Sequence, residues 1–465
     1  MKPEFKYVSL LIVFLLMFNV CACASKSTSA GEDNSFAINT DDFDMPFRNG
    51  SSDQDATSDT DSSESSKNTS SKKGADNKGT GSSKETGNTD NSGNTDTGSS
   101  YYNDDDEFKP MEIPSRKNAY KLSNTFSKMQ KGETIKVAYF GGSVTRGYGA
   151  SDDEKTSWRA LTTAYLKSVS SGSVTEINAA YGGTGSYFGA SRFEYDVSSK
   201  KPDLVFIEFL VNDGYSGLSA EHSKANLEYM INNVYAKNPY ADIVLVLVTN
   251  TAIYGRQTSI YKAQVGVANY YNIPIVDFGG ELYNRFEGSI GFFKENFNDS
   301  VHPNDKGYKL YADIMADALK ELLVSAPSAV HKKPANMLSK NGFTTVTNIQ
   351  ANSFGNSSKW IVSPWKDSKN KDYHALYPMC LAPKNADTTL NVTFTGNTFG
   401  YIGTINDGCT LTVVVDGSRK KVLTGKKSST IEYPLFTDLD NTAHTVTVTV
   451  TGNTDVEIAA FVTTK

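Results

Sequence analysis

The sequence predicts an α/β unit, a parallel sheet covered on both faces by helices, followed by an all-β unit. Three observations carry this. From Lys136 onward, short apolar runs of strand length alternate with amphipathic segments of helix length, and strand alternating with helix implies a parallel sheet. Beyond about residue 332 helical periodicity stops and short β-like runs take over. Ahead of both lies a polar stretch that cannot bury enough apolar surface to offset the entropy of ordering.

The runs 136–140, 176–180, 203–209, 242–248 and 273–278 each look like a buried strand, short and mainly apolar. Helix-sized segments lie between them, including 157–169 and 222–236. A closing helix is marked by Leu310, Ile314, Ala318 and Leu322, which recur every four residues. In the C-terminal part, 444–451 alternates strictly between Thr and apolar or aromatic residues. Val392 and Phe394 alternate with Thr393 and Thr395, and 411–416 is a further apolar run. Short strands between Gly, Asn and Asp turns predict a β-sandwich or jelly roll.

At 465 residues the chain is long enough for two or three globular units. A net charge of -6 argues against nucleic-acid binding, which calls for a concentrated basic surface. Residues 1–23 resemble a lipoprotein signal: Lys2 and Lys6, the apolar run 7–20, then small residues around Cys21 and Cys23. The run spans roughly 20 Å as a helix, short of the ~30 Å hydrocarbon core. The pattern favours Cys23 as the lipidated residue, which would anchor the exported chain to the outer face of a membrane. Residues 24–107, rich in Ser, Thr, Asn, Asp and Gly, are expected to be a disordered tether with a reach of about 50 Å. The expected domains are then 108–332 for the α/β unit and 333–465 for the β unit. Cys380 and Cys409 are the cysteines of the body; after export they could form one disulfide, or remain two free thiols.

In an open α/β sheet, ligand groups gather at the carboxyl ends of the strands. The first strand runs into Gly141-Gly142-Ser143, which places a serine on the turn into a helix. The second ends near Tyr181-Gly182-Gly183-Thr184, whose glycines admit close approach of backbone N–H groups. The third ends in Asn212-Asp213, and Asp299-Ser300-Val301-His302 precedes the closing helix. Each block supplies something acyl transfer needs. Ser143 is a nucleophile once a base takes its proton, the imidazole of His302 is the candidate base, and Asp299 can reach His302 across one turn. The backbone N–H groups of Ser143 and Gly183 and the side-chain amide of Asn212 could meet an oxyanion. Asp213 is expected to cap or brace its loop rather than react. His222, His331, His374 and His444 have no Asp three residues before them and lie away from these blocks.

These four ordered blocks, over roughly 136–324, resemble the SGNH hydrolases, also called GDSL esterases. The resemblance implies the SGNH fold, a flavodoxin-like three-layer sandwich. It also implies Ser143, Asp299 and His302 as the catalytic residues, with Ser143, Gly183 and Asn212 forming the oxyanion hole. One position departs from the family: where it usually reads Gly-Asp-Ser, this chain has Gly142 before Ser143. The chemistry implied is hydrolysis of a carboxylic ester through an acyl-enzyme, with no metal or other cofactor. The exported position and the β unit, an arrangement like that of two-domain carbohydrate esterases, point to O-acetyl groups on a polysaccharide or oligosaccharide. Trp360, Trp365 and Tyr373 could stack on sugars or fill the β core. The rival readings are a lipase or lysophospholipase acting on longer acyl chains, and a non-catalytic surface carbohydrate-binding protein.

Overall fold

The computed structural model describes residues 108–365, 376–425 and 429–465. The signal segment, Cys23 and the tether lie outside these residues, as do Tyr373 and His374. The first sheet consists of β1 (Ile135–Gly141), β2 (Val174–Asn178), β3 (Leu204–Glu208), β4 (Asp242–Leu247) and β5 (Ile275–Asp277), all parallel, in the order β2-β1-β3-β4-β5. The chain steps out from β1 to β2 and then crosses back to β3. Connections on the two sides of that reversal leave a crevice at the carboxyl ends of β1 and β3. The register places Gly141, the last residue of β1, beside Glu208, the last of β3.

The apolar runs follow from this arrangement. Val137, Tyr139, Leu204, Phe206, Val244 and Val246 enter one core; Ala138, Phe140, Val205, Ile207, Ile243 and Leu245 enter the other. Side chains alternate between two buried faces, so the polar half of the usual strand pattern is missing. The helices are α1 (Ser123–Gln130), α2 (Ser143–Arg146), α3 (Trp158–Val169), α4 (Ser186–Asp196), α5 (Leu210–Tyr215), α6 (Ala220–Lys237), α7 (Ser259–Tyr270), α8 (Phe278–Arg285), α9 (Gly291–Asn296) and α10 (Asp305–Leu322). Met129 of α1, Trp158 and Leu166 of α3, and Tyr311, Met315 and Leu319 of α10 pack on the first face. Phe193 of α4, Met230 and Val234 of α6 and Val267 of α7 pack on the second. Helix α6 starts two residues earlier than the apolar pattern suggests, because Ser219 caps it by accepting the His222 amide at 3.2 Å.

The C-terminal strands are β6 (Val346–Gln350), β7 (Trp360–Pro364), β8 (Met379–Pro383), β9 (Thr388–Gly396), β10 (Thr398–Ile405), β11 (Cys409–Val415), β12 (Arg419–Thr424), β13 (Ser429–Phe436), β14 (Thr442–Gly452) and β15 (Val456–Thr464). They pair antiparallel in two sheets. One runs β13-β10-β15-β8-β7 with β6 also on β15, and the other runs β12-β11-β14-β9. The expected fold class, a parallel α/β sheet followed by an all-β unit, is therefore present.

Strands β10 and β15 did not stand out in the sequence, for a physical reason. Phe399, Tyr401, Ile458 and Phe461 face the sandwich core, while Ile402, Ala459, Ala460 and Val462 pack against Tyr187 and Phe188 of α4. With both faces covered, neither strand alternates. The contact with α4 also has a polar part: the Asn348 amide donates to Ser191 O at 2.6 Å, and the hydroxyls of Ser191 and Tyr377 are 2.9 Å apart. Trp360 and Trp365 are buried, their indole N–H groups donating to Thr389 O at 3.2 Å and Thr404 Oγ1 at 3.4 Å. They are core residues.

The disulfide alternative is corrected: Cys380 and Cys409 are free, buried thiols. A disulfide needs close approach of the two Cβ atoms. Strands β8 and β11 belong to different sheets, with Cys380 in the cluster against α4 and Cys409 in the sandwich core.

Candidate active site

Strand β1 ends at Gly141, and Ser143 opens α2 two residues later, at the mouth of the crevice. Its Oγ lies 2.9 Å from His302 Nε2. On the other side of the imidazole, Nδ1 is 2.7 Å from Asp299 Oδ2. The remaining carboxylate oxygen, Oδ1, accepts the amides of Val301 and His302, each at 2.7 Å. Burial opposes ionisation of Asp299, but the hydrogen bonds from the His302 ring and from these two amides outweigh it and bring its pKa down to about 2. An ionised Asp299 fixes the tautomer with hydrogen on Nδ1, so Nε2 is free to accept the Ser143 proton. Asn304, rather than Asp299, caps α10, its Oδ1 accepting the amides of Lys306 and Gly307 at 3.0 and 3.2 Å.

The other two blocks close on the same place. Gly183 adopts φ +74°, the left-handed region that favours glycine. A side chain at Gly182 would begin 3.7 Å from Ser143 Cβ, so this turn lies directly against the nucleophile. Asn212 Nδ2 donates to Thr184 O at 2.6 Å, which ties the third block to the second. An amide nitrogen carries two hydrogens, and the second remains for a ligand.

The same side chain explains Gly142. A Cβ at that position would collide with Asn212 Nδ2, so the amide occupies the room an aspartate would need. Support for the nucleophile turn comes instead from Glu208 at the end of β3. Its Oε2 accepts the Gly142 amide at 3.3 Å and the Thr145 hydroxyl at 2.8 Å. Burial pushes Glu208 up to about 7 against the pull of these hydrogen bonds.

Residues 139–310 match the model of the GDSL-like lipase/acylhydrolase family. Over this span the α/β unit is similar to that family. Two structures of a two-domain esterase (CEX) active on acetylated mannans, one co-crystallised with mannopentaose, share its architecture. Both are 22% identical, with TM-scores of 0.62 and 0.61, over 75% of this chain and 96% and 98% of theirs. Axe2, an acetylxylan esterase from Geobacillus stearothermophilus, aligns at 18% identity over 43% of this chain and 100% of its own, with a TM-score of 0.36. At these identities the likeness concerns the fold. No curated protein sequence matches the chain.

Within the α/β unit, Asp213 is a brace. Its carboxylate accepts the Ser186 amide at 2.7 Å, the Ser223 hydroxyl at 2.6 Å and the Gln264 amide at 3.2 Å, joining the starts of α4 and α6 to α7. Burial raises its pKa to about 6. Two features of this region escaped the sequence reading. One is Glu208, whose signal is an acid closing an otherwise apolar buried strand. The other is Arg192 of α4, buried between the rings of Phe140 and Tyr181 at 4.3 and 3.9 Å and donating to Ala179 O at 2.7 Å. It steadies the chain leading into Gly182 and Gly183.

The acid partner alone does not single out His302. His331 meets Asp242 at 2.8 Å, at the opposite end of the sheet, and His444 meets Asp416 at 2.7 Å in the β unit. His302 is distinguished by the Ser143 hydroxyl on its second nitrogen.

Proposed function

We propose that this chain is an exported, surface-anchored serine esterase that removes short acyl groups, O-acetyl groups on carbohydrate above all, through an acyl-enzyme. The observation that carries the reading is the continuous Asp299–His302–Ser143 hydrogen-bond relay set against the Gly182–Gly183 turn and Asn212. Ser143 Oγ attacks the ester carbonyl as His302 Nε2 takes its proton. The resulting oxyanion is met by the amides of Ser143 and Gly183 and by the Asn212 side chain. The His302 imidazolium, stabilised by Asp299, returns the proton to the leaving alkoxide. Water then repeats the sequence on the acyl-enzyme and releases the acid.

The two-domain likeness to an esterase active on acetylated mannans supports an acetylated glycan as substrate. The surroundings favour a short acyl group over a lipid. Among the described residues the large exposed apolar side chains, such as Val169, Tyr195, Tyr240 and Ile290, belong to widely separated elements rather than to one apolar wall, and Tyr148 is the one in ring contact with His302. The test is acetate release from acetylated mannan and acetylated xylan, alongside p-nitrophenyl esters of increasing acyl length. We expect acetyl esters to be preferred, and Ser143→Ala to lose at least about 10⁴-fold in kcat. Maximal activity on long acyl chains would transfer the reading to a lipase. Anchoring through Cys23 is tested separately: Cys23→Ser should move the protein from the membrane fraction to the medium.

A further inference from the structure

We infer that Tyr148 is a stacking platform for the sugar ring that bears the ester, a subsite on the leaving-group side of Ser143; this rests on the esterase reading above. In such a reaction His302 Nε2 must deliver its proton to the departing oxygen, so that oxygen comes within hydrogen-bond reach of the imidazole. The carbon skeleton attached to it then lies over the outer edge of the His302 ring. Tyr148 is in contact with that ring, its centroid 4.8 Å from that of His302 at an interplanar angle of 63°. Tyr148 is 56% exposed, against 5% for His302. A large aromatic surface is thus left in water beside the base.

The backbone that presents it is pinned. The Tyr148 amide donates to Ser143 O at 2.9 Å, the Tyr308 hydroxyl donates to Tyr148 O at 2.7 Å, and the Asn298 amide donates to Gly149 O at 2.7 Å. Gly149 sits at φ +94°, where a Cβ would fall 2.6 Å from Pro303 O, so the turn is seated closely on the strip that carries Asp299 and His302. Three residues further on, Asp305 accepts the Ser151 amide at 2.8 Å and its hydroxyl at 2.6 Å, and the Thr156 hydroxyl at 2.7 Å. A ring on a fixed backbone loses little entropy when it binds.

The chemistry selects the ligand. A pyranose offers a face of C–H groups and a rim of hydroxyls, which a single aromatic face can cover while the rim stays wet. A long acyl chain needs a trough, and one isolated ring is not a trough. The indoles of Trp360 and Trp365, buried in the β unit, are unavailable for this role.

The experiment compares an acetylated mannooligosaccharide with ethyl acetate, whose leaving group is too small to stack, using wild type, Tyr148→Ala, Tyr148→Phe and Tyr148→Trp. Tyr148→Ala should lower the ratio of kcat/KM for glycan over ethyl acetate by about tenfold, mainly through the glycan KM. Phe and Trp should restore the ratio. An equal loss on both substrates would overturn the platform and make the ring a support for His302, and an unchanged ratio in Tyr148→Ala would overturn it as well. If wild type cleaves ethyl acetate and spares acetylated glycans, the carbohydrate reading itself fails, an outcome distinct from glycan cleavage indifferent to Tyr148.

Discussion

At the scale of single residues, one atom of Asn212 faces two demands. Its Nδ2 ties Thr184 O with one of its two hydrogens, and it fills the space in which a side chain at position 142 would begin. Asn212→Ala should lower kcat by about 10²–10³-fold with a smaller change in KM, as loss of one oxyanion donor does. Gly142→Asp, which writes the usual family motif into this chain, should reduce activity rather than raise it, because the new Cβ displaces the Asn212 amide. Steady-state kinetics on p-nitrophenyl acetate check both. Ser143, Asp299 and His302 were legible because acyl transfer restricts residue type and because Asp299 and His302 are three positions apart. Glu208 was not legible as a partner of the nucleophile turn. Its contact with Gly142 and Thr145 spans more than sixty positions and exists only because β1 and β3 are neighbours.

Secondary-structure elements were readable where one face meets water and ambiguous where both are buried. Strand β14 alternates Thr with Val because the outer face of its sheet is partly exposed. Strand β10 carries buried residues at every position and β15 at all but Glu457, and their pattern dissolves. Helix α4 hides its role in the same way: Tyr187 and Phe188 look like ordinary core residues, but they pack on the β unit rather than on the parallel sheet. Phe188→Ala should therefore destabilise the protein by about 3–5 kcal/mol, the cost of an aromatic cavity in a closed layer. Denaturant unfolding measures this, and a loss below about 1 kcal/mol would mean that the layer between α4 and β15 is open to water. The helix begins at Ser186, just after the glycine turn at the site, so the layer that joins the two units also seats that turn.

For the molecule as a whole, the crevice needs buried carboxylates, and these set a pH dependence. Burial raises Glu208 to about 7 and Asp213 and Asp277 to about 6, all above their ordinary values near 4. The folded state therefore holds more protons than the unfolded chain between about pH 4 and 7, and stability should fall as pH rises through that window. Asp299, held near 2, acts in the opposite sense: its contribution is present above about pH 4 and is lost as pH falls through 2. Melting curves from pH 4 to 8 should show the decline, and Glu208→Gln should flatten its upper part. A melting temperature that climbs steadily over that range would contradict the burial of these acids. The acyl-enzyme on Ser143 can be caught by peptide mass spectrometry after rapid acid quench of the enzyme turning over p-nitrophenyl acetate. One acetyl group should appear on the peptide containing Ser143 and be absent in Ser143→Ala. Undiminished acetate release by Ser143→Ala, with no acetylated serine peptide in wild type, would contradict it.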